Sequence, residues 1–185
     1  MSGARSLARL ESDRSYATPV MQPLIENDPD RLAAVIRAIG AGIVMLDGCT
    51  AAGKTVLARD LAERLQAGVV DVDGYIDRHQ DTFVGALRVD ELKSATEGAL
   101  ARSGIVFVSG ICARDVADRA GRAPVLFVYV KRKTLAGVMA DMDILDAEDG
   151  LFRRYRPGLE AEIAGYHRRR LPCHNADILY INIAD

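Results

Sequence analysis

The chain contains no tryptophan, and only 6 Tyr and 4 Phe among its 185 residues. Broad stacking platforms for single-stranded nucleic acid are therefore not expected. Cysteine is sparse as well. Cys49, Cys112 and Cys173 lie far apart, with no Cys-x-x-Cys pair. That argues against a disulfide framework or a zinc knuckle and fits a reducing compartment. Neither sign of charge prevails: 24 Lys and Arg stand against 26 Asp and Glu, a net charge of −2. Without a global basic field, a general nucleic-acid binder is not favoured. No apolar run approaches membrane-spanning length. The polar stretch Met1 to Asp13 lacks the apolar core of a signal peptide. These absences predict a cytoplasmic protein, monomeric or homodimeric, with no membrane or nucleic-acid partner.

What is present centres on Gly48-Cys49-Thr50-Ala51-Ala52-Gly53-Lys54-Thr55. The stretch fits Gly-x-x-x-x-Gly-Lys-[Ser/Thr] at each fixed position. Before it, Ile43-Val44-Met45-Leu46 reads as a buried strand. After it, Leu57, Leu61 and Leu65 recur every four residues, with Ala58 and Ala62 beside them, as in a helix. Glycines let successive backbone N–H groups point at phosphate oxygens, and the helix N-terminus adds the positive end of its dipole. Lys54 would reach the β- and γ-phosphates of a triphosphate, and Thr55 would place a hydroxyl on Mg²⁺. Cys49 has no catalytic partner in the sequence, and its side chain is expected to pack.

The rest of the chain alternates helix and strand. Residues 1 to about 20 have no apolar period and read as a flexible lead-in. Asp28 and Pro29 start a helix with the stripe Leu32, Val35, Ile36 and Ile39, ended by Gly40 and Gly42. Gly68 is expected to close the loop helix, and Val69 to Asp73 to form a strand. A polar loop spans 76 to 88, and a helix runs from about Val89 to Ser103, ended by Gly104. Ile105 to Val108 is a strand, Asp115 to Gly121 a short helix, and Pro124 to Val130 and Ile178 to Ile183 the last strands. Continuously apolar strands between helices predict one α/β domain, from about residue 21 to 185, with a parallel sheet covered on both faces.

Ligands of such sheets lie beyond the C-terminal strand ends. Asp71 and Asp73 fall at one of these ends and alternate with Val70 and Val72, which predicts that they share a face. Asp73 is the candidate base for an acceptor hydroxyl and, through water, a candidate Mg²⁺ ligand. Asp71 is read as the cap of the turn into Gly74. Between Leu151 and Arg170 stand six Arg, at 153, 154, 156, 168, 169 and 170. Together with the stretch from about 131 they suggest a closing lid that clamps the transferred group. Arg169 is the candidate for that role, and Arg168 for the acceptor. His79 is a second acceptor candidate. His167 reads as a surface histidine, and the acidic run Asp141 to Asp149 as a solvated loop.

These stretches together resemble the P-loop nucleoside and nucleotide kinases, and uridine-kinase-type proteins most. Asp73-Gly74-Tyr75 is similar to that family's Asp-x-Phe-Tyr segment, whose Asp is the base. Val106 to Gly110 is similar to its Val-x-Val-Glu-Gly strand. Tyr166 to Pro172, with Ala176-Asp177-Ile178, is similar to a late Tyr-His-x-x-x-x-Pro…Ala-Asp-Ile stretch. The resemblance implies a five-stranded parallel sheet of order 2-3-1-4-5. It also implies ATP and Mg²⁺ as cofactors, Tyr75 beside the acceptor, and a nucleoside as that acceptor. Ser109 stands where the family often has Glu, and the family's His-Pro-Asp-Ala segment has no counterpart in residues 76 to 90. A nucleotide-binding regulatory protein with weak hydrolysis, or a kinase for another small metabolite or a sugar nucleotide, remains an alternative.

Overall fold

Strand β2 (Gly42–Asp47) lies in the middle of a parallel sheet and carries the chain to the phosphate loop. The computed structural model describes residues 23–77, 82–138, 142–145, 147–150 and 154–184. The lead-in expected over residues 1–20 lies outside them, as does His79. Around β2 run β3 (Gly68–Asp71), β4 (Ile105–Ser109), β5 (Leu126–Thr134) and β6 (Ile178–Ala184), in the order β3-β4-β2-β5-β6. The sheet has six strands rather than five. β1 (Leu24–Glu26) adds itself at the edge by pairing Leu24 to Glu26 with Ile178 to Tyr180. Three residues are too few to show a period, so the sequence carried no signal for it.

Alternation along β2 feeds two cores. Ile43 and Met45 point to the face covered by α3 (Val89–Ser103), α4 (Ala113–Ala120) and α6 (Leu159–Arg170). Val44 and Leu46 point to the face covered by α1 (Pro29–Ile39) and α2 (Lys54–Leu65). Each large aliphatic side chain taken fully from water in these layers stabilises by roughly 1.5–3 kcal/mol. The short α5 (Met142–Leu145) precedes α6. Among the described residues, no helix is long and apolar enough to cross a membrane.

Local chemistry sets most helix ends. The Asp28 side chain accepts from Asp30 N at 2.8 Å and caps α1, with Pro29 in the first turn. Gly104 ends α3 in a left-handed conformation. The end of α2 differs from expectation: Gln66, at φ 53°, takes the left-handed cap position. Gly68 instead opens β3, where a Cβ would lie 2.9 Å from Ala99 Cβ, so its bareness lets α3 approach the sheet. β3 also stops short, at Asp71, and Val72–Tyr75 forms a 3₁₀ turn. β5 runs on to Thr134, so Lys131, Arg132 and Lys133 pair with Ile181, Asn182 and Ile183 of β6. They belong to the sheet and not to a lid.

Candidate active site

The phosphate loop turns out of β2 where only glycine fits. At Gly48, φ is +140° and a Cβ would lie 2.4 Å from the Val130 carbonyl oxygen. At Gly53, φ is +94° and a Cβ would lie 2.1 Å from Asn182 Nδ2. Gly48 is thus demanded by close approach of backbone as well as by conformation, and Gly53 by its conformation. Asn182 Nδ2 donates to Ala52 O at 2.9 Å and braces the loop from β6. Lys54 is buried, and its Nζ donates to Gly48 O at 2.8 Å and Cys49 O at 2.6 Å. No side chain caps the N-terminus of α2. Its first N–H groups therefore face the loop, as an anion site requires.

Thr50, Ala51, Gly53, Lys54 and Thr55 line one side of a cleft of about 660 Å³. Cys49 and Ala52 do not. The Cys49 side chain is buried with Sγ 3.6 Å from Tyr129 Oη, and Ala52 is fully buried. Asp71, Asp73 and Ser109 complete the polar lining, and Ile76, Phe83, Ile111 and Leu159 form an apolar wall.

The two aspartates reach the cleft by different routes, not by strand alternation. Asp71 ends β3, and one carboxylate oxygen accepts from Asp73 N at 3.2 Å, capping the 3₁₀ turn. Its other oxygen accepts from Thr55 Oγ1 at 3.1 Å. Ser109 Oγ lies 3.2 Å from the same hydroxyl. Asp71 is therefore more than the turn cap it was expected to be: it, and not Asp73, meets Thr55. The signal available was its place at the end of β3, in register with Ser109 on β4. Asp73 follows at the open rim. Partial burial against the cleft raises its pKa above the ordinary aspartate value, the charge of Asp71 adds to this, and Lys54 pulls the other way.

The arginines of α6 lie elsewhere. Arg169 donates to Asp115 at 3.1 Å, and Arg170 to Asp115 at 2.7 Å and Asp118 at 2.5 Å, both acceptors on α4. The Arg168 guanidinium sits 6.0 Å above the Tyr155 ring. Neither Arg168 nor Arg169 lines the cleft. The last turn of α6 faces the carboxylates of α4, which bind its guanidinium groups. Tyr75 is half-buried and packs on the α3 side of the core rather than into the cleft.

A buried polar network lies beneath the loop, and residue composition did not reveal it. Asp47, 3% exposed, accepts from Gly48 N at 2.8 Å and from the Tyr166 hydroxyl. Burial raises the Asp47 pKa, while the bonds from Tyr166 and Gly48 N hold it back. His167, expected at the surface, is 1% exposed. Its Nε2 lies 3.4 Å from Tyr129 Oη, and its Nδ1 lies 2.6 Å from Glu148 Oε1. Glu148, expected in a solvated loop, is buried and also meets His174 Nδ1 at 2.8 Å. A chain of polar contacts thus runs from Cys49 through Tyr129, His167 and Glu148 to His174.

No family model matches the chain, and no curated protein matches its sequence. The structure of a possible uridine kinase from Bacillus stearothermophilus is similar, with TM-score 0.54 at 16% identity, over 82% of this chain and 96% of that one. A putative fructose transport system kinase from Silicibacter sp. TM1040 aligns with TM-score 0.46 at 12% identity, over 83% of this chain and 98% of that one. The likeness to the first is one of fold, a parallel sheet with helices on both faces.

Proposed function

We propose that the chain is an ATP-dependent kinase that moves the γ-phosphoryl group of MgATP to a hydroxyl of a small acceptor, a nucleoside first among the candidates. One observation carries the proposal: the phosphate loop and the Asp73 carboxylate line the same cleft. The loop N–H groups, the N-terminus of α2 and Lys54 would hold the triphosphate. The Thr55 hydroxyl gathers Asp71 Oδ2 at 3.1 Å and Ser109 Oγ at 3.2 Å. Hard oxygen donors of that kind suit Mg²⁺, with Thr55 the direct ligand and Asp71 and Asp73 its carboxylate partners. Magnesium held there would neutralise the charge of the phosphates.

The acceptor oxygen attacks Pγ, the bond from Pγ to the β-bridging oxygen breaks, and ADP leaves. The hydroxyl proton passes to Asp73. The raised pKa of Asp73 suits that task, since a base works best when its pKa approaches the working pH. Positioning and charge neutralisation supply most of the acceleration in such transfers. No transferring role falls to Arg169, whose guanidinium is engaged by Asp115.

Ser109 favours a second reading, a nucleotide-binding regulatory protein with weak hydrolysis. A hydroxyl there brings less negative charge to the metal than a carboxylate would. The test is an ADP-release screen over nucleosides, sugars, sugar nucleotides and cofactor precursors, with Lys54→Ala as the control. Acceptor-dependent ADP in the wild type is the expected result. If no acceptor raises ADP above the control, the protein is not a kinase for these classes, and the regulatory reading stands.

A further inference from the structure

The connection that follows Asp73 is closed at its base like a small hairpin. Ile76 and Leu87 form an antiparallel bridge, Asp77 N donates to Ala86 O at 2.9 Å, and Arg88 N donates to Tyr75 O at 2.8 Å. Beyond this neck Phe83 enters the cleft wall, where it is 8% exposed. Phe83 itself belongs to no helix or strand; its ring packs in the core, and Arg119 of α4 donates to Val84 O. The tie to its backbone N–H comes from α6, far along the chain. One oxygen of the Glu162 carboxylate accepts from Phe83 N at 2.5 Å, and the other accepts from Val84 N at 3.0 Å. Two N–H groups on one carboxylate make a charge-assisted, bidentate tie with a defined orientation. Leu159, one turn earlier on α6, presents its side chain to the same wall.

We propose that Glu162 is the positioning residue for the acceptor half of the cleft. It fixes Phe83 against the space that Asp73 faces, and so sets which acceptors fit. Its effect on turnover rests on the kinase proposal above; its hold on the loop does not. The phosphate loop lies on the other side of the cleft, where Lys54 holds its Gly48 and Cys49 carbonyls, Asn182 of β6 braces Ala52, and Asp71 and Ser109 meet Thr55. Acceptor binding should therefore depend on Glu162, and MgATP binding should not.

The test compares wild type, Glu162→Gln, Glu162→Ala and the control Glu160→Gln. Amide hydrogen exchange at Phe83 and Val84 reads the tie directly. Loss of both bonds to a charged group should speed exchange about tenfold or more in Glu162→Ala, with Glu162→Gln between it and wild type. Since the chain has no tryptophan, Phe83→Trp adds a single reporter. Its acrylamide quenching should rise when Glu162→Gln is added. With uridine as acceptor, KM should rise about tenfold while kcat stays within about threefold and MgATP Kd within about twofold. Unchanged exchange at both amides in Glu162→Ala overturns the proposal. So does a loss of MgATP affinity that matches the loss for uridine, because that marks a general effect on the fold. If wild type does not phosphorylate uridine, nucleoside kinase activity falls on that count alone, and the exchange and quenching arms still decide the role of Glu162.

Discussion

Tyr166→Phe removes one oxygen from beneath the phosphate loop and keeps the ring. In the native chain this hydroxyl is fully buried, donates to Asp47 Oδ2 and accepts from Arg114 N at 3.3 Å. The variant leaves one oxygen of a buried carboxylate without that donor. Hydrogen bonds to charged groups contribute about 1.5–3 kcal/mol, and a stranded buried acceptor lies toward the upper end. The expected loss at neutral pH is about 2 kcal/mol, a drop in Tm of roughly 4–8 °C for a chain of this size.

The pH dependence has a definite sign. Asp47 has a folded pKa raised above its ordinary 3.8, mainly by burial. Stability from such a group is fully present below the unfolded value and is lost as pH rises through the folded one. Taking away Tyr166 raises the folded pKa further. The deficit of Tyr166→Phe should therefore open as pH rises through the folded Asp47 pKa and close below about 3.8. The assay is urea unfolding of wild type, Tyr166→Phe, Asp47→Asn and the double variant. In the Asp47→Asn background the charge is gone, and the Tyr166→Phe cost should fall below about 1 kcal/mol. An equal cost in both backgrounds, or one under about 0.5 kcal/mol at neutral pH, would refute the role given to this bond.

Asp73→Asn should lower kcat by about 10²–10⁴ and weaken MgATP binding by no more than about tenfold, since its link to the metal would run through water, measured by ADP release and by titration. Equal losses in both would show that Asp73 holds the nucleotide and does not take the proton. Arg169→Ala should leave turnover within about twofold and stability within about 1 kcal/mol, since its own side chain is exposed and Arg170 still meets Asp115. Glu148→Gln should cost about 3 kcal/mol at neutral pH, because it breaks a buried contact with His167. Burial alone would raise the Glu148 pKa, but bonds from His167 and His174 bring it below the ordinary 4.5. That contribution is present above 4.5 and is lost as pH falls through the depressed value. The gap between wild type and Glu148→Gln, followed by chemical unfolding, should shrink in that acidic window.

The phosphate loop was legible because its requirements are local. Two glycines, a lysine and a hydroxyl lie within eight consecutive positions, and the flanking strand and helix show their own periods. The helix ends at Asp28 and Gly104 were legible for the same reason. Asp71 was harder. A capping aspartate and a ligand-holding aspartate look alike in sequence, and here one carboxylate does both, with one oxygen for each task. Glu162 gave no signal at all. Its partners are backbone amides of residues 83 and 84, and backbone amides have no sequence identity to recognise.

The error over α6 had a different cause, and it could have been avoided. His167, expected at the surface, stands in a run of four basic residues with Arg168, Arg169 and Arg170. A helix sorts residues by phase and not by adjacency. Ile163, Tyr166, His167 and Arg170 stand at i, i+3, i+4 and i+7, the inward stripe of an amphipathic helix. The first three of these are buried, and Arg170 is half-buried between Asp115 and Asp118. Arg168 falls on the opposite face, Arg169 flanks the stripe on the side of Glu162, and both are exposed. The inward stripe thus carries the phenol that meets Asp47 and the imidazole that meets Glu148. Glu162, next to the stripe, ties the loop that bears Phe83. The contribution of α6 to the cleft comes through these polar groups, while Arg169 and Arg170 serve the contact with α4 and Arg168 lies over Tyr155.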